Sequence, residues 1–196
     1  MIRSSRRGKT TVIAMAGVAL AIGGVAYQAA TQSSTGSEAG LVAASTRPDG
    51  ARPVSSPVPA NLTPPAGLRR IGTFTVVSGT QTYTCANGSF VGASVPEAQL
   101  AGPAGRIHHF GGPSWQSTSD KSLVTATKTA ESPVAGSIAQ LLLTVNSHSG
   151  TTRGLLSRVQ NIQRLNPSGG AAPTTACTDG EKIAVPYRAN YVFWAN

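Results

Sequence analysis

His108, His109 and His148 are the only imidazoles in the 196-residue chain. Three imidazoles are a ligand set for Zn or Cu with one position left open. The spacing speaks against that use. Adjacent residues on a strand point to opposite faces, so His108 and His109 do not easily share an ion. A strand that carries Leu141, Leu143 and Val145 inward puts Gln140, Thr144, Asn146 and His148 on its other, polar face. The expectation is hydrogen-bonded or exposed histidines, with no metal and no cofactor. Hydrolytic machinery is equally thin. Beyond residue 66 the carboxylates are Glu97, Asp120, Glu131, Asp179 and Glu181, all in apparent turns or at strand ends. Glycosidases need two facing carboxylates across a cleft, and this spacing offers no such pair. Gly92-Ala93-Ser94-Val95-Pro96 lacks the second glycine of a nucleophile elbow. A Ser/His/Asp set drawn from distant positions stays open, and with it a secreted hydrolase or metal-dependent enzyme using His109 or His148.

The segment His109-Phe110-Gly111-Gly112-Pro113-Ser114-Trp115 puts an aromatic at each end of a Gly/Pro turn. Exposed, Trp115 offers a face for stacking on a sugar ring. Buried, it anchors a core corner and donates its indole N–H to a carbonyl. Arg164 supplies a planar donor fork for a carboxylate or phosphate, or pairs with a structural acid. His109, Trp115, His148 and Arg164 are thus the candidate ligand-binding residues, and no residue is assigned a catalytic role.

Strands must position them. Period-2 alternation marks residues 71–77 and 81–85, and Ala86-Asn87-Gly88-Ser89 is a hairpin turn signal. Residues 122–129, 138–147 and 187–194 read as further strands. Residues 155–165 read as a strand too, although Leu155, Val159 and Ile162 also fit a helical face. Many short strands with Gly/Pro/Asn/Ser punctuation predict an all-β antiparallel sandwich or barrel of about 8–10 strands, spanning residues 67–196. Cys85 and Cys177 are the only cysteines. In an oxidising compartment an even pair is most simply one disulfide.

The compartment is read from the N-terminus. Arg3, Arg6, Arg7 and Lys9 precede a charge-free stretch over residues 10–30, the layout of a signal peptide or a retained N-terminal membrane anchor. Arg6-Arg7 resembles a twin-arginine signal without the apolar residue that usually follows, and a basic n-region suits the general secretory route as well. This segment is expected to be an apolar helix. Residues 31–66 are rich in Pro, Ser and Thr with few bulky apolar residues, which predicts a spacer without fixed conformation. The formal net charge of +9 falls to +5 without the four n-region cations. The remaining cations are scattered along the sequence, which excludes a nucleic-acid footprint of clustered charge with interleaved aromatics. Weak attraction to anionic wall polymers or lipid headgroups fits better.

An ordered series of short motifs runs through the C-terminal part. Gln81-Thr82-Tyr83-Thr84-Cys85 is followed by Pro96-Glu97-Ala98-Gln99-Leu100 and Gly112-Pro113-Ser114-Trp115. Leu141-Leu142-Leu143, Ser147-His148-Ser149-Gly150 and Ile162-Gln163-Arg164-Leu165-Asn166 come next, and Val185-Pro186-Tyr187-Arg188-Ala189-Asn190-Tyr191-Val192-Phe193 closes it. This series resembles the family catalogued as domain of unknown function 3455, found in secreted bacterial and fungal proteins. The chain departs from it at Gln140, where that family tends to carry Trp. The resemblance implies a secreted β-domain and brings no established activity; a malate dehydrogenase label carried by some members finds no Gly-x-Gly-x-x-Gly turn or βαβ alternation here. The sequence therefore predicts an exported module, secreted or anchored at the extracellular face of the membrane. Its expected role is binding extracellular polysaccharide or anionic wall polymer.

Overall fold

The two alternating runs at the start of the domain belong to one strand. The computed structural model describes residues 57–196, and in it β1 runs Arg69–Thr84. A bulge between Val76 and Ser78 shifts the side-chain phase by one residue. Phe74 and Val76 before it and Gln81 and Tyr83 after it are therefore all buried. β2 (Val95–Gly102), β3 (Gly105–Phe110), β4 (Ser114–Ser117), β5 (Leu123–Ser132), β6 (Gln140–Ser149), β7 (Val159–Gly169) and β8 (Lys182–Ala195) follow. Each strand pairs antiparallel with the one before it, and β8 returns to β1 to close the barrel. Of the sandwich and the barrel the sequence allowed, the chain forms the barrel, with eight strands. Closure leaves no unpaired edge.

The turn at Ala86–Ser89 forms, held by reciprocal backbone hydrogen bonds. It does not lead straight into a strand, because β2 begins only at Val95. Residues 155–158 are likewise a turn, not the start of β7. Leu156 there is fully buried and plugs one end of the barrel. Asp120 ties that plug down. Its carboxylate accepts from Ser122 N at 2.9 Å, Ser122 Oγ at 2.6 Å and Leu155 N at 2.8 Å. Burial alone would raise its pKa, but these hydrogen bonds outweigh it and hold the carboxyl below its ordinary value. Above the plug, Phe74, Val76, Leu100, Ile107, Ile162 and Phe193 fill the barrel. Phe74 and Phe193 meet edge-to-face with ring centroids 5.4 Å apart. Gly102 makes room for them, since a Cβ there would lie 2.6 Å from Cδ1 of Phe74.

At the other end, Cys85 and Cys177 form a disulfide with Cα atoms 6.0 Å apart. It staples the long loops over a small cluster of Tyr83, Cys85 and Phe90. Closing so long a loop is worth about 4 kcal/mol in the chain-entropy account. The bond fits an oxidising, non-cytoplasmic compartment.

The expected spacer is fixed at its C-terminal end, contrary to the sequence reading of residues 31–66. A 3-10 turn at Ala60–Leu62 lies on the outside of the barrel. Leu62 is fully buried against Leu142, Leu165 and Val192. Gln163 Nε2 donates to the Leu62 carbonyl at 2.7 Å, and Trp194 Nε1 donates to Gln163 Oε1 at 2.8 Å. The polar and apolar residues that face outward from β6–β8 supply this dock, which composition alone does not reveal. Leu62→Ala should destabilise the protein by about 2–3 kcal/mol, read as a shift of the denaturant midpoint. An unchanged midpoint would mean that the segment adds nothing to the barrel. The expected apolar helix, with its signal or anchor role, lies outside the described residues, as does the spacer over residues 31–56. Among the described residues no helix is long and apolar enough to cross a membrane.

Candidate functional site

Opposite the plug the barrel interior is not filled. A cavity of about 460 Å³ opens there, at the end where β1, β3, β5 and β7 finish. Its position follows from where bulky residues stop. Trp115 and Tyr191, both essentially inaccessible to solvent, form its floor with His109 and Leu143. Leu141, Ile138, Pro96 and Pro113 make apolar walls. Lys128 and Glu131 stand at the rim as an ion pair. A bulge between Lys128 and Ala130 in β5 sets both side chains toward the cavity and sends Ala130 to the outer cluster.

The register explains how His109 and Trp115 meet. They are direct cross-strand partners on β3 and β4, joined by the Gly111-Gly112-Pro113 turn, and so share the inner face. The rings stack with centroids 4.3 Å apart and planes within 4°. Tyr191 closes edge-on against both. His108, next in sequence, points outward and bonds Glu97 at 2.6 Å, as strand alternation requires. Trp115 is thus buried, as one of the two sequence readings had it. Its indole N–H does not find the expected carbonyl and has no hydrogen-bond partner. Gln81 Nε2, on another wall of the same cavity, is also without one, while its Oε1 accepts from Ser94 at 2.6 Å.

His109 Nδ1 lies 2.9 Å from the Ser114 carbonyl, so that nitrogen carries the proton and Nε2 keeps its lone pair. Burial pushes the imidazole pKa down to about 3 against the pull of the Ser114 hydrogen bond, and the Arg164 charge lowers it further. The ring is neutral at neutral pH. Arg164 reaches the cavity from β7, directly opposite Tyr191 and Leu141 in the ladders. Its Nε donates to the Ala139 carbonyl at 3.0 Å. The ion pairs among the described residues are His108–Glu97 and Lys128–Glu131, so Arg164 has no carboxylate partner. The Tyr191 hydroxyl lies 3.3 Å from that of Tyr187, and burial pushes the pKa of both phenols upward, so both stay protonated.

Of the four predicted contact residues, His109, Trp115 and Arg164 come together at this cavity. His148 does not. It lies near the plugged end, roughly 20 Å along β6 from Leu141, exposed and bonded to the Val159 carbonyl at 2.8 Å. A bulge at Asn146 breaks the alternation used to place it. His109 and His148 therefore cannot serve one catalytic site, and no group of three His, Cys, Asp or Glu among the described residues could hold a metal. Gln81, Tyr191, Lys128 and Glu131 were missed. Gln81 carried a signal, as a polar residue in phase with the apolar face of its strand. Gln140 faces outward, where its Oε1 accepts from Asn166 N at 3.2 Å. An aromatic at that position would not line the cavity.

Residues 95–195 match the model of a family described as Protein of unknown function (DUF3455). The match covers β2 through β8, and with them the cavity floor, Arg164 and the rim ion pair. No curated protein and no solved structure matches the chain.

Proposed function

The chain belongs to the DUF3455 family, and we propose that its barrel is a binding module that takes a small carboxylate with an apolar body into the open end. The observation that carries this reading is that one cavity is lined both by the partnerless indole N–H of Trp115 and by the guanidinium of Arg164, which lacks an acid. A buried donor without an acceptor costs about 1–3 kcal/mol, and a cation facing a low-dielectric cavity favours an anionic partner. A ligand carboxylate meets both needs. Leu141, Ile138, Pro96 and Pro113 favour an apolar remainder, because a sugar ring would leave its hydroxyls unpaired against them. Neutral His109 adds no competing charge.

Export belongs to the same proposal, with the disulfide and the N-terminal charge pattern as its support, whether the apolar segment is cleaved or kept as an anchor. A second reading, attachment to extracellular polysaccharide or anionic wall polymer, is favoured by the placement of the surface cations rather than by the cavity.

Thermal denaturation and tryptophan fluorescence in a Trp194→Phe background, which isolates Trp115, test the cavity. Hexanoate, octanoate and phenylacetate should each raise Tm and perturb the emission, whereas the matching primary amides should not. At a hundredfold excess over Kd the stabilisation is about 2.7 kcal/mol, a rise of several degrees. Arg164→Gln should weaken the acids at least tenfold. Acids and amides acting alike, or none acting, would overturn the reading.

A further inference from the structure

Of the ten Lys and Arg side chains among the described residues, six sit at the plugged end. Arg69 and Arg70 open β1, Arg106 lies at the start of β3, Lys121 is in the β4–β5 turn, and Arg153 and Arg158 flank the plug. All six are exposed. Asp120 is the one carboxylate side chain there, and its oxygens are taken up by Ser122 and Leu155. The other four described carboxylates, Glu97, Glu131, Asp179 and Glu181, lie toward the open end. There they balance Lys128, Arg164, Lys182 and Arg188 in number. Cations spread through ninety positions of sequence are gathered because each sits where a strand begins or a turn reverses at the same end of the barrel. The surplus positive charge of the described residues is thus confined to one end.

That end is also grooved. Arg69, Arg153 and Arg158 border a concavity of about 520 Å³ with Thr152 and Ser157 on its wall. We propose that it is a docking surface for an acidic polysaccharide, a flexible chain with carboxylates spaced along it that can lie in the groove and meet the arginines in turn. The partner is chosen by what the surface lacks. The exposed large apolar residues among those described are Val58, Val77, Val91 and Val95, none of them at this end, so a bilayer would gain no apolar anchor to add to the charge. No Phe, Tyr or Trp side chain among the described residues is exposed, so a single-stranded nucleic acid finds no large stacking platform. The cavity plays no part in this proposal, and either can fail without the other.

Retention of the full chain on immobilised polygalacturonate, with immobilised dextran as the neutral control, tests it. Wild type should be retained on polygalacturonate only, and less so as salt rises, because Coulombic attraction at an exposed surface is screened. The double variant Arg153→Glu/Arg158→Glu should bind at least tenfold more weakly with an unchanged melting profile. Lys182→Glu/Arg188→Glu at the open end should bind as wild type does. Equal losses in both variants, or none in the first, would overturn the assignment. Phosphatidylglycerol vesicles and single-stranded DNA serve as competitors. If either displaces the polymer at lower charge concentration than free polygalacturonate does, the surface belongs to that class of partner and the proposal falls.

Discussion

Trp115→Ala should cost about 3–5 kcal/mol of stability, measured by denaturant titration with the disulfide intact. Trp115 is 1% exposed, packs flat on His109 and takes the edge of Tyr191, so truncation strips both neighbours of their contacts. Such a loss does not by itself make the residue purely structural, because Trp115 is both core and cavity floor. Trp115→Phe separates the two roles. It keeps most of the buried ring and removes the indole N–H, which has no partner in the folded protein. Removing an unsatisfied donor offsets much of the lost packing, so Trp115→Phe should stay within about 1 kcal/mol of wild type. It should nevertheless weaken acid binding about tenfold. A phenylalanine variant that binds the acids unchanged would show that the indole N–H makes no contact with the ligand.

The strands read from the sequence are those that carry a longer run of apolar residues on the inner face. β8 alternates without a bulge from Ile183 to Ala195, and β6 carries Leu141 and Leu143 in phase on the inner face. The strands that were missed break this rule. In β3 and β4 the inner face is Ile107, His109, Trp115 and Ser117, and two of those four side chains are polar enough to look like loop. β2 begins with a proline in its second position and ends in a glycine, both of which punctuate a chain on paper. Part of that departure from pattern falls at the cavity, whose floor includes His109 and Trp115. His109, Trp115 and Arg164 were legible as residue types that could do chemistry. Their union was not, because it depends on register across β3–β4 and β7–β8. His148 stands apart for a different reason: it lies at the far end of β6 from Leu141, and face alternation carries no information about position along a strand. Leu62 lay beyond composition, as an apolar residue among prolines gives no sign of the surface that receives it.

Stability should fall on acidification because of His109. Its unfolded pKa is near 6.5 and its folded pKa is about 3, so the fold selects the neutral ring. The stability that depends on this neutrality is fully present above pH 6.5 and is lost progressively as pH falls from 6.5 toward 3. At about 1.4 kcal/mol per pH unit, the loss between pH 7 and pH 4.5 should be roughly 2–3 kcal/mol, and on the order of 4 kcal/mol by pH 3. Little solvent discount applies, since His109 is 3% exposed. Asp120 acts in a separate window. Its folded pKa is depressed, so its contribution is present above the ordinary carboxylate range and lost only as pH falls through the still lower folded value. The interval from pH 7 to 4.5 therefore leaves the Asp120 contribution intact. His109→Phe keeps a ring on Trp115 and removes the titration, at the cost of about 1 kcal/mol for the Ser114 carbonyl left without its donor. Subtracting the pH profile of His109→Phe from that of wild type should leave the histidine contribution alone, zero above pH 7 and growing steadily below 6.5. A difference profile that stays flat to pH 4.5 would mean that the folded protein accommodates the charged imidazole, most simply by admitting water or an anion to the cavity.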